Sequence, residues 1–437
     1  MTASARIARF IDAVAIDAVV AERELLADLR SARGPLIEVI PGDQKVLVTF
    51  VCIRDAAAVS LRTPLAAIAT SVNLDLDIDL DRVPGTNVWY ASVEADSRIA
   101  TSYQFRMPGE VAGGDLETEY AVQDDPAALV EFARAMVARG FADAQNPERL
   151  FPTYGVLAGM QPAATGLDVW ESTVQLPDAE PFPHLGPSPE RGLVTEHPFV
   201  SRATPETRTV AIYLPAFYDP STRYPLVLFF DGEHYRDVGR MPEILNHAIA
   251  SGRIPPLIAV FWHNRDASSR TAELTRTPEL SSTISDELWP WLDANFSITR
   301  DPRLRVVSGF SLGGLASLWV GLERPEVFGS VLAVSPSLWF SPPDSGEASG
   351  WLTRQYAASP KPLPAVYLAV GSLEVGSLER TGSTSTMVGL ARELRDVLQL
   401  EGTAKAHYRE EPAGHDYVNV RRASVHGLVA LLGSLNR

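Results

Sequence analysis

The stretch VVSGFSLGGLASLW, residues 306–319, decides how the second half of this chain is interpreted. The run LRVV before the turn is typical of a buried strand, and LASLWVGL after it is typical of a helix. Between them lies Gly309-x-Ser311-x-Gly313. The five residues alone are a weak signal, but in a strand–turn–helix setting such a serine is held in a strained conformation with its hydroxyl exposed. We therefore predict that Ser311 is a nucleophile.

Short apolar runs alternate with helical patterns after residue 192. Several of the runs are continuous, as in strands that are buried on both faces. The predicted strands are TRTVAIYL, YPLVLFFD, PPLIAVFW, LRVVSG, GSVLAVSP and PAVYLAVG, and the predicted helices are STISDELWPWLDANF, GGLASLWVGLERP and TMVGLARELRDVLQLEG. This alternation predicts an α/β fold, in which helices cover both faces of a mostly parallel sheet.

A different pattern precedes residue 177. Short β patterns with close turns predict a small β-sandwich, and they are KVLVTFVCI (45–53), LDLDIDL (74–80), NVWYASVEA (87–95) and RIATSYQFRM (98–107). Helices are expected over about 4–32 and 126–140. The segment 177–192 is rich in proline and glycine, as linkers are. We predict two domains, a helix plus sandwich over 1–180 and an α/β domain over 193–437.

Composition excludes several classes of partner. Of the 437 residues, 46% are hydrophobic and 21% are charged, as in globular proteins, and a single cysteine, Cys52, excludes an intrachain disulfide. Residues 1–190 hold 14 basic and 28 acidic side chains, which argues against nucleic acid or an anionic membrane as a partner. Asp12 and Asp17 interrupt the apolar N-terminal pattern, so we expect no signal peptide and a cytoplasmic protein. No apolar run is long enough for a membrane span, so none is predicted.

A serine hydroxyl needs a base to act as a nucleophile. In α/β-hydrolases the acid and then the histidine follow the serine along the chain. Three histidines follow Ser311. His407 lies in a predicted strand and His426 in a predicted final helix. His415 lies between them in a loop that begins with glycine, and we predict that it is the base.

The acid should follow the strand AVYLAV. Glu374 is the first carboxylate after that strand, and Gly371 allows the turn. Its role would be to orient the imidazole and to stabilise its cation. Glu379 is the runner-up and Asp416 a weaker alternative, while a solvated loop carboxylate remains the other interpretation of Glu374.

Ester chemistry also requires hydrogen-bond donors for an oxyanion. One predicted donor is the backbone N–H of Leu312, directly after the serine. The other is the N–H of Gly232 or Glu233, in the loop of LVLFFDGEHY. His234 and Tyr235 are expected to face the same pocket. No metal site and no cofactor is predicted.

These motifs resemble the enterochelin (enterobactin) esterase family, in the esterase D branch of the α/β-hydrolases. The second half carries YPLVLFFDGEHY, SSRTAEL, SGFSLGGLASLWVGLERPEVFGSVLAVSPSLWF, VGSLEVG and GHD in the order of that family. The first half carries RGPLIEVIPGDQKVLVTFV, VPGTNVWYASVE and DAQNPERL, which resemble the family's sandwich domain. The resemblance therefore covers nearly the whole chain.

The resemblance implies the same serine, histidine and glutamate as nucleophile, base and acid. It places Arg270 and Glu273 near the substrate. The family hydrolyses ester bonds of an iron-loaded catecholate trilactone in the cytoplasm after import, so the implied partner is a small-molecule ester, a ferric siderophore. Because a ferric tris-catecholate is anionic, basic side chains would suit it, and the candidates are Arg265, Arg270 and Arg276.

Two departures concern the substrate. The family has Gln before the nucleophile and Trp in DGxxW, where this chain has Phe310 and Tyr235. We expect both side chains to lie near the substrate, so ester hydrolysis is better supported than the identity of the siderophore. The alternatives are an esterase or acyltransferase of the same fold acting on a non-siderophore ester, and a binding protein without turnover.

Overall fold

The computed structural model describes residues 4–67, 77–107, 140–151, 170–183, 185–186, 188, 190–202, 207–265, 267–275, 277–347, 349–376, 385–400 and 406–433. Within these residues the strands are β1 (Leu36–Val39), β2 (Lys45–Ile53), β3 (Ser60–Arg62), β4 (Asp77–Asp79), β5 (Asp81–Arg82), β6 (Val88–Asp96), β7 (Ala100–Arg106), β8 (Gly140–Phe141), β9 (Arg149–Leu150), β10 (Glu171–Gln175), β11 (Leu193–Val200), β12 (Thr207–Leu214), β13 (Leu226–Phe229), β14 (Ile258–Trp262), β15 (Arg305–Phe310), β16 (Ser330–Val334), β17 (Ala365–Gly371) and β18 (Ala406–Glu411). The α-helices are α1 (Ala5–Val14), α2 (Ala18–Ala32), α3 (Met241–Ala250), α4 (Ala267–Thr275), α5 (Thr277–Thr283), α6 (Trp289–Asn295), α7 (Leu312–Glu323), α8 (Trp351–Ala357), α9 (Met387–Leu400) and α10 (Tyr417–Leu432). Single turns of π-helix or 3₁₀-helix lie at His234–Val238, Ile284–Leu288, Pro302–Leu304 and Pro343–Ser345.

Two antiparallel sheets form the first part of the chain. One has the strand order β1-β2-β6-β5, and the other has the order β4-β3-β7-β10-β9 with β8 also paired to β7. Their inner faces share one apolar core, in which Phe50 and Trp89 of the first sheet meet Phe105 and Val174 of the second. Alternating side chains point to opposite faces of a strand, so one face of each sheet is apolar. The predicted β-sandwich is confirmed.

The N-terminal helix is broken where one continuous helix was expected over 4–32. Asp17 causes the break, because its carboxylate accepts hydrogen bonds from the N–H groups of Val19 and Val20 (both 3.1 Å) and so starts α2. Both helices pack on the first sheet through an apolar cluster that includes Leu29. The helix predicted over 126–140 lies outside the described residues, apart from the last residue, which begins β8.

The second part of the chain is built on one eight-stranded sheet. Its order is β11-β12-β14-β13-β15-β16-β17-β18. All pairs from β14 to β18 are parallel, and only the pairs that involve β12 are antiparallel. Helices cover both faces over two separate apolar cores. The predicted α/β-hydrolase type of sheet is confirmed, and the domain boundary between residues 180 and 193 stays a prediction.

The predicted site residues follow the carboxyl ends of neighbouring parallel strands. Ser311 follows β15, Gly232 follows β13, Glu374 follows β17 and His415 follows β18. Carboxyl ends of parallel strands share one edge of a sheet, where such folds bind ligands. Within the described residues, no helix has the length and apolarity that a membrane crossing requires.

Candidate active site

The turn after β15 is strained and crowded. Ser311 has φ 58° and ψ −118°, a conformation that residues other than glycine rarely adopt. Its N–H donates to the carbonyl of Val334 (3.0 Å), and its own carbonyl accepts from the N–H of Leu315 (3.0 Å). A Cβ on Gly309 would lie 2.2 Å from the carbonyl oxygen of Gly313, so only glycine fits there. The serine is thus fixed by its own turn and by the end of the neighbouring strand β16.

The hydroxyl of Ser311 bonds another serine. Its Oγ lies 3.2 Å from Oγ of Ser337, whose N–H also donates to the carbonyl of Ser311 (3.0 Å). In the described part of the chain, this hydroxyl bonds Ser337 and not the ring of His415. Catalytic hydrogen bonds are commonly long or absent before the substrate binds.

Glu374 and His415 form a tightly held pair. Nδ1 of His415 lies 2.7 Å from Oε2 of Glu374. The other carboxylate oxygen, Oε1, accepts hydrogen bonds from the hydroxyl of Ser335 (2.5 Å) and from the N–H of Gly371 (2.7 Å). The Glu374 side chain is completely buried, whereas 27% of the His415 side chain is exposed. The carboxylate is therefore held by Ser335 and Gly371 on one side, and the imidazole lies between it and the surface.

The ring of His415 also packs against the residue that precedes the serine. The ring centroids of Phe310 and His415 are 4.4 Å apart, and Tyr417 meets the same phenyl ring edge-on. Phe310 is only 4% exposed. Its ring is therefore buried between the imidazole and the apolar core, and its role as a substrate contact stays a prediction.

The oxyanion side of the site is formed by α7 and the loop after β13. Helix α7 begins at Leu312, so this N–H is one of the four at the helix start that lack a partner within the helix. A Cβ on Gly232 would lie 2.4 Å from the backbone of Phe261, so the loop requires glycine. A Cβ on Gly313 would lie 3.1 Å from Oδ2 of Asp231, which places the two turns side by side. The oxyanion roles of Leu312, Gly232 and Glu233 stay predictions.

A buried charged network supports that loop. Arg270 donates two hydrogen bonds to the carboxylate of Asp231, both 2.7 Å. The amide of Asn264 joins this carboxylate to that of Glu233 (2.7 Å to each). Burial, and then the nearby charge of Asp231, raise the pKa of Glu233 to about 7. With Arg270 only 8% exposed, the guanidinium that was predicted to contact the substrate serves as an internal partner of the loop.

Glu273 joins two arginines. It accepts from Arg208 (2.8 Å) and also bonds Arg265. The guanidinium of Arg208 lies over the ring of Trp262, 4.1 Å from its centroid. Substrate contact by Arg265 and Glu273 stays a prediction, and Arg276 lies outside the described residues.

Tyr235 does not have the predicted position. It was expected to face the substrate, but its side chain is 0% exposed. Its ring stacks on Phe229, with centroids 4.5 Å apart, and meets Tyr417 edge-on. The π-helical turn that holds Tyr235 directs this ring into the core beneath the sheet edge. His234, also expected at the pocket, is buried as well.

The alternative bases and acids occupy other positions. His407 lies on β18 and is exposed, and His426 lies in α10, where it bonds Glu411 and Glu180 (both 2.8 Å). Asp416 caps the start of α10 by accepting from the N–H of Asn419 (3.0 Å). Glu379 lies outside the described residues. Of the three histidines after Ser311, all of which the structure describes, only His415 bonds Glu374.

Sequence reasoning missed the residues that hold the acid and the serine in place. Ser335 and Ser337 come from SPS directly after β16, and Asn419 donates to Ser335 (3.3 Å) from α10. Two serines at the end of a buried strand, next to the strand of Ser311, were the available signal. Among the described residues, no group of three or more His, Cys, Asp or Glu side chains is placed to hold a metal ion.

A strained serine at a strand-to-helix turn, with a buried glutamate–histidine pair at the same sheet edge, defines a protein of the α/β-hydrolase class. The chain belongs to the putative esterase family, whose model matches residues 201–424. Residues 47–183 match the model of the N-terminal part of enterochelin esterase. The resemblance to the enterochelin esterase family is thereby confirmed.

Curated relatives carry related names. The iron(III) enterobactin esterase of Dickeya dadantii is 27% identical over 265 residues, which are 60% of this chain and 58% of the relative. The iron(III) salmochelin esterase of Escherichia coli O6:H1 is 30% identical over 237 residues, 52% of this chain and 55% of the relative. The match therefore spans less than two thirds of the length of these relatives.

Solved structures share the fold over nearly the whole chain. The ferric enterobactin esterase from Salmonella typhimurium superposes with a TM-score of 0.72 at 21% identity, covering 94% of this chain and 99% of that one. The enterobactin esterase from Shigella flexneri, determined in the presence of enterobactin, gives 0.70 at 21% identity and covers 92% and 97%. The arrangement of sandwich and α/β sheet is thus common to all three.

Proposed function

We propose that this protein is a serine esterase that hydrolyses ester bonds of a ferric catecholate siderophore of the enterobactin type. The observation that carries the proposal is the hydrogen-bonded pair of the buried Glu374 and His415, at the same sheet edge as the strained Ser311. The names of the relatives and the match of the first domain to enterochelin esterase support the substrate class. The cytoplasmic location stays a prediction.

The reaction begins with attack by Oγ of Ser311 on the ester carbonyl carbon. Nε2 of His415 accepts the hydroxyl proton as the new C–O bond forms. The carbonyl oxygen becomes an oxyanion, which the N–H groups of Leu312 and Gly232 stabilise. The bond to the alkoxide leaving group then breaks, His415 returns the proton to that oxygen, and an acyl-enzyme remains. Water then attacks the acyl carbon while His415 accepts its proton. The bond to Oγ of Ser311 breaks, His415 returns the proton to Oγ, and the carboxylic acid leaves.

Glu374 sets the tautomer of the base. With Nδ1–H of His415 donating to Oε2 of the glutamate, Nε2 carries the free lone pair that must take the proton. Ser335 and the N–H of Gly371 occupy Oε1, so the carboxylate cannot rotate away from the imidazole. Proton transfer also requires the Ser311 hydroxyl to turn from Ser337 towards His415.

One alternative has an observation in its favour. Phe310 packs against the imidazole, and Arg270 is paired inside the protein, so two side chains that were expected to lie near the siderophore have internal partners. A non-siderophore ester is therefore the second candidate substrate.

The test uses wild type and Ser311→Ala with ferric and iron-free enterobactin-type trilactones and with p-nitrophenyl butyrate. We expect linear trilactone products and p-nitrophenol from the wild type, and loss of both activities in the variant. Cleavage of the simple ester without opening of either trilactone would refute the siderophore substrate. Equal rates in wild type and variant would refute the serine mechanism.

A further inference from the structure

A strand of the sandwich domain reaches the loop that carries His415. Oδ2 of Asp416, the next residue, accepts hydrogen bonds from the hydroxyl of Thr101 (2.7 Å) and from the N–H of Ser102 (2.9 Å), both on β7. Oδ1 of the same carboxylate accepts from the N–H of Asn419 at the start of α10. Asp416 therefore ties the loop both to its own helix and to the other domain.

The backbone of this loop is held by the sandwich domain as well. The N–H of Ala100 donates to the carbonyl of Pro412 (3.0 Å). A Cβ on Gly414 would lie 2.4 Å from the ring of Pro64 and 3.1 Å from Oγ1 of Thr101, so this loop and the sandwich domain are in direct contact. Residues on both sides of His415 thus touch the sandwich domain.

The loop of the acid has the same kind of support. Leu373, which precedes Glu374, is 5% exposed, and its side chain belongs to the apolar core of the sandwich. Its N–H donates to the carbonyl of Ala413 in the histidine loop (3.1 Å). The acid loop and the base loop are therefore joined to each other, and each is anchored in the sandwich domain by the residue next to its catalytic side chain.

We propose that Thr101 is a positioning residue for the esterase reaction: through Asp416 it sets the position of His415 relative to Ser311. The inference rests on the proposed function of this site. Thr101 is buried, so water does not replace its hydroxyl as a donor, and a hydrogen bond to a carboxylate is among the stronger ones. A small displacement of a catalytic group is costly in rate because proton transfer requires the reacting atoms at close approach.

The experiment compares four full-length proteins with p-nitrophenyl butyrate as the probe: wild type, Thr101→Val, Thr101→Ser and Thr49→Val. Valine keeps the shape of threonine and removes the hydroxyl, and serine keeps the hydroxyl. Thr49 is the matched control, because it is also fully buried on a sandwich strand and its hydroxyl bonds Ser92 (2.9 Å) away from the histidine loop.

We expect kcat of T101V to fall about tenfold with KM within about twofold, since the loss concerns the base and not substrate binding. T101S should recover most of kcat, and T49V should keep the wild-type value. Equal kcat in T101V and T49V, or a T101S variant as slow as T101V, would overturn the proposal. If T101V does not fold, Asp416→Asn replaces it: it keeps an oxygen for the helix cap and loses the acceptor for β7, and an unchanged kcat overturns the proposal.

Failure of this proposal is distinct from failure of the proposed function. The ratio of wild type to Ser311→Ala tests whether the site is a serine esterase at all. The ratio of T49V to T101V tests whether the sandwich domain positions its base. Ser311-dependent hydrolysis that T101V leaves intact would keep the esterase and remove the positioning role.

Discussion

The two sides of the active site are held in place by different means. Ser311 is fixed by its own strained turn, where glycines permit the backbone conformation, and by Val334 and Ser337 at the end of the neighbouring strand of the same sheet. The His415–Glu374 pair is fixed by partners far away in sequence, including Ser335 and, through Asp416, Thr101 of the other domain. The contacts of Ser311 therefore lie within the α/β part of the chain, whereas the loops of His415 and Glu374 also contact the sandwich.

This difference leads to the proposal that the sandwich domain positions the base without contributing a catalytic residue. The interface carries hydrogen bonds from β7 and an apolar contact through Leu373, both directly beside the base and acid. Changes on the serine side should act through local backbone geometry. Changes on the histidine side should act through proton transfer.

The largest effect is expected from removing the base. His415→Ala should lower kcat/KM for p-nitrophenyl butyrate by about 10⁶-fold, because no other group then accepts the serine proton. His407→Ala is the control, since this histidine is exposed on β18 and should leave the rate within about twofold. Steady-state kinetics of the two variants check the prediction, and similar rates for both would remove His415 from the mechanism.

Glu374→Gln should lower kcat by about 10⁴-fold with the fold retained. Its amide nitrogen would donate towards Nδ1 of His415, which forces the proton onto Nε2 and blocks acceptance of the serine proton. Glu411→Gln is closely matched, because Glu411 is also fully buried and also bonds Nδ1 of a histidine, His426 (2.8 Å). Stopped-flow or steady-state rates should separate the two variants; equal losses in both would mean that burial, not the catalytic pair, causes the effect.

Gly309→Ala tests the crowding of the turn that holds Ser311. The new methyl group would lie 2.2 Å from the carbonyl oxygen of Gly313, so the turn must open, at a cost of about 2–3 kcal/mol in the free energy of unfolding. Gly389→Ala in α9 is the comparison, because helical alanine is favoured over glycine and the nearest neighbour is a side-chain hydroxyl at 3.3 Å. Urea unfolding measures both. A free energy of unfolding of G309A equal to that of wild type would show that the turn has room for the methyl group.

The smallest effect concerns the pH dependence of stability. The pKa of Glu233 is raised to about 7 in the folded protein, above its ordinary value of 4.5. Between these values the folded state keeps a proton that the unfolded state releases, so stability falls as pH rises through this window. Glu233→Gln removes this loss, and its free energy of unfolding relative to wild type should increase by on the order of 1–2 kcal/mol from pH 5 to pH 8.

Glu148→Gln is the control for that pH series, because 68% of the Glu148 side chain is exposed. Its free energy of unfolding relative to wild type should stay level between pH 5 and pH 8. If the free energy of unfolding of E233Q relative to wild type also stays constant between pH 5 and pH 8, the pKa of Glu233 is not raised in the folded protein.

The sequence predicted the features that depend on local pattern. The turn around Ser311, the strand β2 and the alternation of the second domain are short-range, so their residue types reveal them. The support from Thr101 was invisible, because it lies 315 positions from Asp416 and nothing in either segment marks the pairing. Tyr235 was misjudged for a related reason: a π-helical turn directs its ring into the core, and periodicity does not predict that turn.

The most direct measurement is the site of covalent reaction with a fluorophosphonate, followed by peptide mapping. We expect one adduct per chain, on the peptide that contains Ser311, formed rapidly in wild type, far more slowly in His415→Ala and absent in Ser311→Ala. An adduct on another residue, or ester hydrolysis without any adduct on Ser311, would contradict the serine mechanism.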